Sequence, residues 1–171
     1  MKVKAFPSLR MRLFLIGYAV FWALMLPVGL LYLFQRGKRD PRYRQNIAER
    51  FGFYKGTLKN SVWVHAVSLG EMRSAAPLIR RLLDDGETIV TTHFTPAGRM
   101  AANDLFAREI AENRMVVIYV PFEFDWVFRR FFHAFTPKYG LVMEIEMWPR
   151  LIASARRHDV PLFMCNGQYP E

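Results

Sequence analysis

A single cysteine, Cys165, in 171 residues cannot close an internal disulfide, which excludes a disulfide-stapled secreted scaffold and a multi-cysteine zinc site built from this chain alone. The four histidines, His65, His93, His133 and His158, show no H-E-x-x-H spacing. No D-x-D follows a predicted strand either, so the pattern gives a metal no support. G-x-G-x-x-G is absent, which weighs against a dinucleotide-binding dehydrogenase, and neither a Gly-rich P-loop nor a Ser-His-Asp order is present. Internal repeats and low-complexity stretches are missing too. With 52% hydrophobic and 15% aromatic residues the composition is that of a folded chain, and the length holds one folded domain without a second large one.

What is present is unevenly spread. Residues 1–60 hold 12 of the 24 Lys and Arg against two acids, Asp40 and Glu49, a local net charge of +10; residues 61–171 hold 12 against 13, a net of −1. A nucleic-acid binder spreads its cations over a face of the folded domain with aromatics interleaved. The near-neutral remainder has no such stripe, so nucleic acid is not an expected partner.

Between Arg12 and Arg36 lies an uncharged run, Leu13 to Phe34, which as a helix reaches about 33 Å and matches a hydrocarbon core of about 30 Å. A buried helix of a soluble core rarely lacks a polar face over so many turns. A cleaved signal peptide has a shorter apolar region and an A-x-A-like site, whereas this run ends in Leu-Tyr-Leu-Phe-Gln-Arg. Tyr18, Trp22 and Tyr32 add amphipathic rings. Cations before the run (Lys2, Lys4, Arg10, Arg12) are fewer than those after it (Arg36, Lys38, Arg39, Arg42, Arg44, Arg50). The expected orientation therefore has the folded part on the cytoplasmic side, unless the helix lies in the interface. Either way the cluster from Arg36 to Arg50 lies where anionic headgroups are. Expected boundaries are an anchor helix with basic flanks over 1–36, a basic connector over 37–60 and a folded domain over 61–171.

From Ser61 onward short β-branched runs alternate with helical segments in the order βαβαβαβαβ. That order predicts an α/β fold, a Rossmann-like parallel sheet covered on both faces. Ligands of such folds bind at the carboxyl ends of the strands, and those ends are polar: Ser68, Gly70 and Glu71 after the first strand; Thr91, Thr92, His93 and Thr95 after the second; Glu144 and Glu146 after the fourth; Asn166 and Gln168 after the fifth. Ser68 with Glu71 fits a capping box, Thr95 with Pro96 an N-cap followed by Pro at N1, and Pro149 a helix start.

Two readings stand for Glu71. It is the N3 acid of a capping box, bound to a backbone N–H, or a carboxylate that takes a proton from a hydroxyl, provided that burial raises its pKa, with Gly70 allowing close approach. Glu144 and Glu146 alternate at a strand end and share a face. They are either a solvated acid and a helix-start acid or carboxylates that stabilise a cationic sugar or hold a hydroxyl. His65 and Cys165 read as core residues, and His93 as core or site lining.

Four strings taken together resemble one family: Glu49 to Tyr54 (ERFGFY), Trp63 to Glu71 (WVHAVSLGE), Thr91-Thr92 with Thr95 to Gly98 (TPAG), and Met143 to Pro149 (MEIEMWP). They closely resemble the N-terminal half of the Kdo transferases, membrane-associated GT-B glycosyltransferases that move 3-deoxy-D-manno-octulosonic acid (Kdo) from CMP-Kdo to the lipid A precursor. The resemblance implies one half of a GT-B fold, with Glu71 as general base and Glu144 as transition-state stabiliser. It implies substrate contacts from Ser68, Gly70, Thr95 and Glu146, and makes Arg50 and Arg73 candidates for phosphate contacts. No cofactor is implied. The expected setting is a bacterial inner membrane, with membrane lipid and the lipid A precursor as partners. The family's second domain, which holds CMP-Kdo, has no counterpart before Glu171, so a chain of this extent is expected to be inactive alone. Asn166-Gly167-Gln168 departs from the Asn-Ala-Arg-like sequence of the family. The rival expectation is a non-enzymatic, membrane-anchored Rossmann-like module that binds an anionic glycolipid or a protein.

Overall fold

In the computed structural model, residues 6–144, 146 and 148–165 are described. Five parallel strands, β1 (Val62–His65), β2 (Ile89–His93), β3 (Met115–Tyr119), β4 (Tyr139–Met143) and β5 (Leu162–Cys165), form one sheet in the order β3-β2-β1-β4-β5. This is the expected Rossmann-like α/β fold with a parallel sheet. β1 lies at the centre, with His65 in register with Thr92 on one side and Val142 on the other. Its run is apolar at every position but one because both faces are covered. Alternation then divides the core. Val62 and Val64 face a cluster with α2 (Leu69–Asp84) and α3 (Pro96–Leu105), whereas Trp63 faces a cluster with α5 (Asp125–Phe135) and α6 (Pro149–Arg157).

One predicted helix is broken. The segment after Thr95 forms α3 and then a separate short helix, α4 (Ala107–Ala111), with Phe106 between them at φ −128°. Phe106 is 1% exposed and lies beneath the Arg80 guanidinium. Burying an aromatic ring outweighs the few tenths of a kcal/mol per residue that favour a continuous helix.

The apolar run forms α1 (Leu9–Arg39), which begins at an N-cap on Ser8 and continues through Pro27. Cations Arg36, Lys38 and Arg39 occupy its last turn, where they complement the helix dipole. Of the expected connector, 37–60, residues up to Arg39 complete α1 and those from 41 on are tied down on the sheet domain. They form 3-10 turns at Pro41–Arg44 and Ile47–Phe51, and Glu49 is buried, accepting from the Tyr119 amide at 3.0 Å and from both Arg99 nitrogens of its ion pair. The string Glu49 to Tyr54 therefore joins this segment to the end of β3.

Candidate functional site

Strand order reverses between β1 and β4, since the chain leaves β1 toward β2 and later returns on the other side. The crevice at such a switch point is where open α/β sheets bind ligands. Glu71 follows β1, and Glu144 and Glu146 follow β4, so both strands that flank the switch point carry carboxylates at their carboxyl ends.

Glu71 is set by a local device. Ser68 is the N-cap of α2 and its Oγ accepts from the Glu71 amide at 3.2 Å. The Glu71 carboxylate reaches back to accept from the Val67 amide at 2.8 Å, one residue earlier than the reciprocal bond of a capping box. Glu71 is 4% exposed, and burial raises its pKa above the ordinary carboxylate value, with smaller upward contributions from Glu146 and Glu144. Glu144 and Glu146 follow β4, which pairs with β1 at His65–Val142, so the three carboxylates belong to adjacent strand ends. Gly70 faces open space, where an added Cβ would meet only Ser68 Oγ, at 3.9 Å.

The loop after β2 is locked to the loop after β1. Thr95 caps α3 by accepting from Gly98 N at 3.2 Å, and its hydroxyl donates to Val67 O at 3.3 Å. A Cβ on Gly98 would lie 2.9 Å from Ser68 O, so only glycine lets α3 approach so closely.

On the β4 side Glu144 is exposed and left-handed, with φ 58°, a conformation that costs a non-glycine residue about 1–2 kcal/mol. Its amide donates to Cys165 O at 2.8 Å, which helps to hold the strained turn. Glu146 accepts from the Trp148 indole. The Trp148 ring lies 6.0 Å from His65 and 6.1 Å from Phe94, so it ties this segment to the ends of β1 and β2.

The other predicted residues are placed differently. Arg73 is exposed on α2. Arg50 is 2% exposed; it donates to Phe94 O at 2.7 Å and its guanidinium lies 4.2 Å from the Tyr119 ring centroid. The structure therefore seats it beneath Phe94 and does not bring it to the carboxylates. His93 is fully buried with both ring nitrogens engaged, by Ala66 O and Thr91 Oγ1, and burial pushes it down to about 4. His65, bonded to Thr92 Oγ1 at 2.8 Å, is pushed down to about 3 by the same cause. Both are neutral core imidazoles at physiological pH. Among the described residues no group of three or more His, Cys, Asp or Glu is placed to hold a metal ion. Asn166, Gly167 and Gln168 lie outside the described residues.

One residue that sequence reasoning missed is Glu123, at the carboxyl end of β3 and 0% exposed. Its two oxygens accept from the Arg150 amide at 2.7 Å and the Leu151 amide at 3.1 Å, capping α6, which has no side-chain cap of its own. Burial pushes it up to about 7. The Pro121-Phe-Glu-Phe sequence at a strand end was the available signal. Its target, 27 residues away, was not legible locally.

Comparison with known proteins gives the chain's family. The family model for 3-deoxy-D-manno-octulosonic-acid transferase (kdotransferase) matches residues 45–171. The chain is 41% identical over 150 residues to the 3-deoxy-D-manno-octulosonic acid transferase of Bordetella pertussis, covering 85% of this chain and 35% of that protein. It is 32% identical over 147 residues to the enzyme of the same name from Haemophilus influenzae, covering 83% and 33%. A probable mitochondrial 3-deoxy-D-manno-octulosonic acid transferase of Arabidopsis thaliana is 28% identical over 147 residues, covering 83% and 32%. The chain thus spans about a third of the length of the curated relatives it matches.

Proposed function

The chain belongs to the 3-deoxy-D-manno-octulosonic-acid transferase family, and from that premise we propose that it supplies the acceptor side of a transfer of Kdo from CMP-Kdo to the lipid A precursor. The observation that carries this reading is a buried carboxylate, held on the Val67 amide at the switch point, with Glu144 and Glu146 following the adjacent strand β4. Glu71 takes the proton as the acceptor hydroxyl forms its bond to the anomeric carbon of Kdo. The bond from that carbon to the CMP phosphate oxygen breaks with both electrons leaving on CMP. Glu144 offsets the positive charge that builds on the sugar ring. One displacement inverts the anomeric centre.

Ser68, Gly70, Thr95, Glu146 and Arg73 border the acceptor. CMP-Kdo is assigned to a second domain of the full-length enzyme. The acceptor is held in a bilayer, and α1 with its cationic flanks keeps the site beside it, on the cytoplasmic face of a bacterial inner membrane.

The test is Glu71→Gln in the full-length protein, assayed with CMP-Kdo and lipid A precursor. Transfer should be abolished with folding intact, and unchanged turnover would remove Glu71 as base. The 171-residue chain assayed alone should give no product, and robust turnover would overturn the division of labour between two domains.

A further inference from the structure

The run that is long enough to span a bilayer is held by the folded body at both of its ends. Near the start, Arg150 of α6 donates from Nη2 to Leu15 O at 2.7 Å, the Tyr18 hydroxyl faces the Glu123 carboxylate, and Arg156 lies over the Phe6 ring. Near the finish, Arg44 donates from Nη2 to Phe34 O at 2.8 Å and Arg36 to the Tyr43 hydroxyl at 3.3 Å. The 41–44 turn that carries Tyr43 and Arg44 is itself fastened to the body, because Arg42 O accepts from the Tyr119 hydroxyl at 3.3 Å. Leu15 and Phe34 are about 28 Å apart along a helix.

Between these ties the less exposed positions form one stripe. Leu15, Tyr18, Trp22, Leu26, Leu30 and Leu33 are all buried or half-buried, at steps of three and four residues, as one helix face requires. Gly37 extends the stripe to where an added Cβ would meet the Arg44 side chain at 2.3 Å. The opposite face is apolar and open, with Leu13 61%, Leu24 67% and Leu31 58% exposed.

A helix that crosses a hydrocarbon core of about 30 Å leaves a water-soluble body at one end only. Crossing here would carry Arg150, Glu123 and Asp125 to the far side of the core or leave them in it, where charged groups are rare and expensive. An in-plane placement avoids this. Both ends of α1 are cationic, with Arg10 and Arg12 at one and Arg36, Lys38 and Arg39 at the other, and each cation beside anionic headgroups contributes about 1 kcal/mol.

We propose that α1 does not cross the bilayer but lies along its surface, tied to the body at both ends, with the open apolar face sunk into one leaflet and the less exposed stripe turned toward the body. The occupant of the open face is lipid, because an apolar strip with cations at both ends complements acyl chains bordered by anionic headgroups. The hydrogen-bonded ties lie at the sheet's carboxyl edge, at the end of β3 and the start of α6, whereas the Arg156–Phe6 contact lies at the far end of α6. The edge that carries Glu71, Glu144 and Glu146 is thereby held at headgroup level. The inference rests on the membrane association proposed above.

The experiment uses the full-length protein in a Cys165→Ser background, with single cysteines Leu9→Cys and Gln35→Cys and a membrane-impermeant maleimide. Both sites should react in inverted inner-membrane vesicles and neither in spheroplasts. Reaction of one site in each preparation would overturn the in-plane placement while leaving membrane association intact. Recovery of the protein in the soluble fraction, with the α1 faces paired between two copies, would overturn the membrane reading itself. As a second measurement, nitroxides at Leu13→Cys, Leu24→Cys and Leu31→Cys, which share a helix face within about 20°, should report one immersion depth. A depth that peaks at Leu24 and falls at both neighbours would mean that the helix crosses.

Discussion

The carboxyl edge of the sheet and the outer face of α1 use opposite chemistry within one molecule. At the edge, Glu71 and Glu123 are desolvated by burial, so that both hold their protons above the ordinary carboxylate range. Along α1 no charge interrupts the apolar run, and the cations wait at its two ends. The edge concentrates cost in a few positions, which suits chemistry. The helix spreads a modest gain over many, which suits adhesion. Substitutions at the edge should therefore act on rate, and substitutions on the helix on location.

The largest effect is expected from Glu71→Gln in the full-length enzyme, where loss of the proposed base should lower kcat about 10³-fold. Gln can still accept from the Val67 amide, so the urea midpoint should barely move. In the wild type, activity should rise with pH as Glu71 loses its proton, with the acid limb above the usual carboxylate range near 4.5. A limb at or below that range would break the contrast at its acidic side.

Glu144→Gln should cost about 10²-fold in kcat if its charge acts on the transition state as proposed, while the local backbone hydrogen bond survives. An unchanged kcat with a raised KM would reassign it to binding.

Glu123→Gln should act on stability instead. Its folded-state pKa is about 7 against 4.5 unfolded, so the native chain binds that proton more tightly. The stabilisation is fully present below about pH 4.5 and lost as pH rises through about 7, amounting to at most about 3 kcal/mol. Denaturation of the wild type at about pH 5 and about pH 8 should show the difference, and the variant should flatten it.

Leu24→Glu on the outer face should weaken partitioning onto phosphatidylethanolamine–phosphatidylglycerol vesicles about tenfold or more, from the lost apolar burial. Turnover on detergent-dispersed acceptor should be unchanged. A fall in both would mean that α1 shapes the site as well as its location.

Much of the sheet domain was legible because its signals are local. The β-branched run Val62–His65 needs only its own residues to read as a buried strand, and Ser68 with Glu71 or Thr95 with Pro96 mark helix starts within four positions. Failures came where partners are distant. Glu49 reads as one acid in a basic connector until Arg99 and Tyr119, 50 and 70 residues on, turn it into a buried anchor point. Phe106 sits in a good helical sequence and breaks it because the core accepts the ring. For α1, hydropathy gave the length of the run, but the ties to Arg150 and Arg44 that bear on its inclination lie outside it.

Arg150 links two regions that are far apart in the chain. Its amide is clamped by Glu123, its guanidinium grips the Leu15 carbonyl, and it follows directly on the segment that bears Glu144 and Glu146. On the in-plane placement proposed for α1, one side chain thus connects the lipid-facing helix to the segment that bears Glu144 and Glu146.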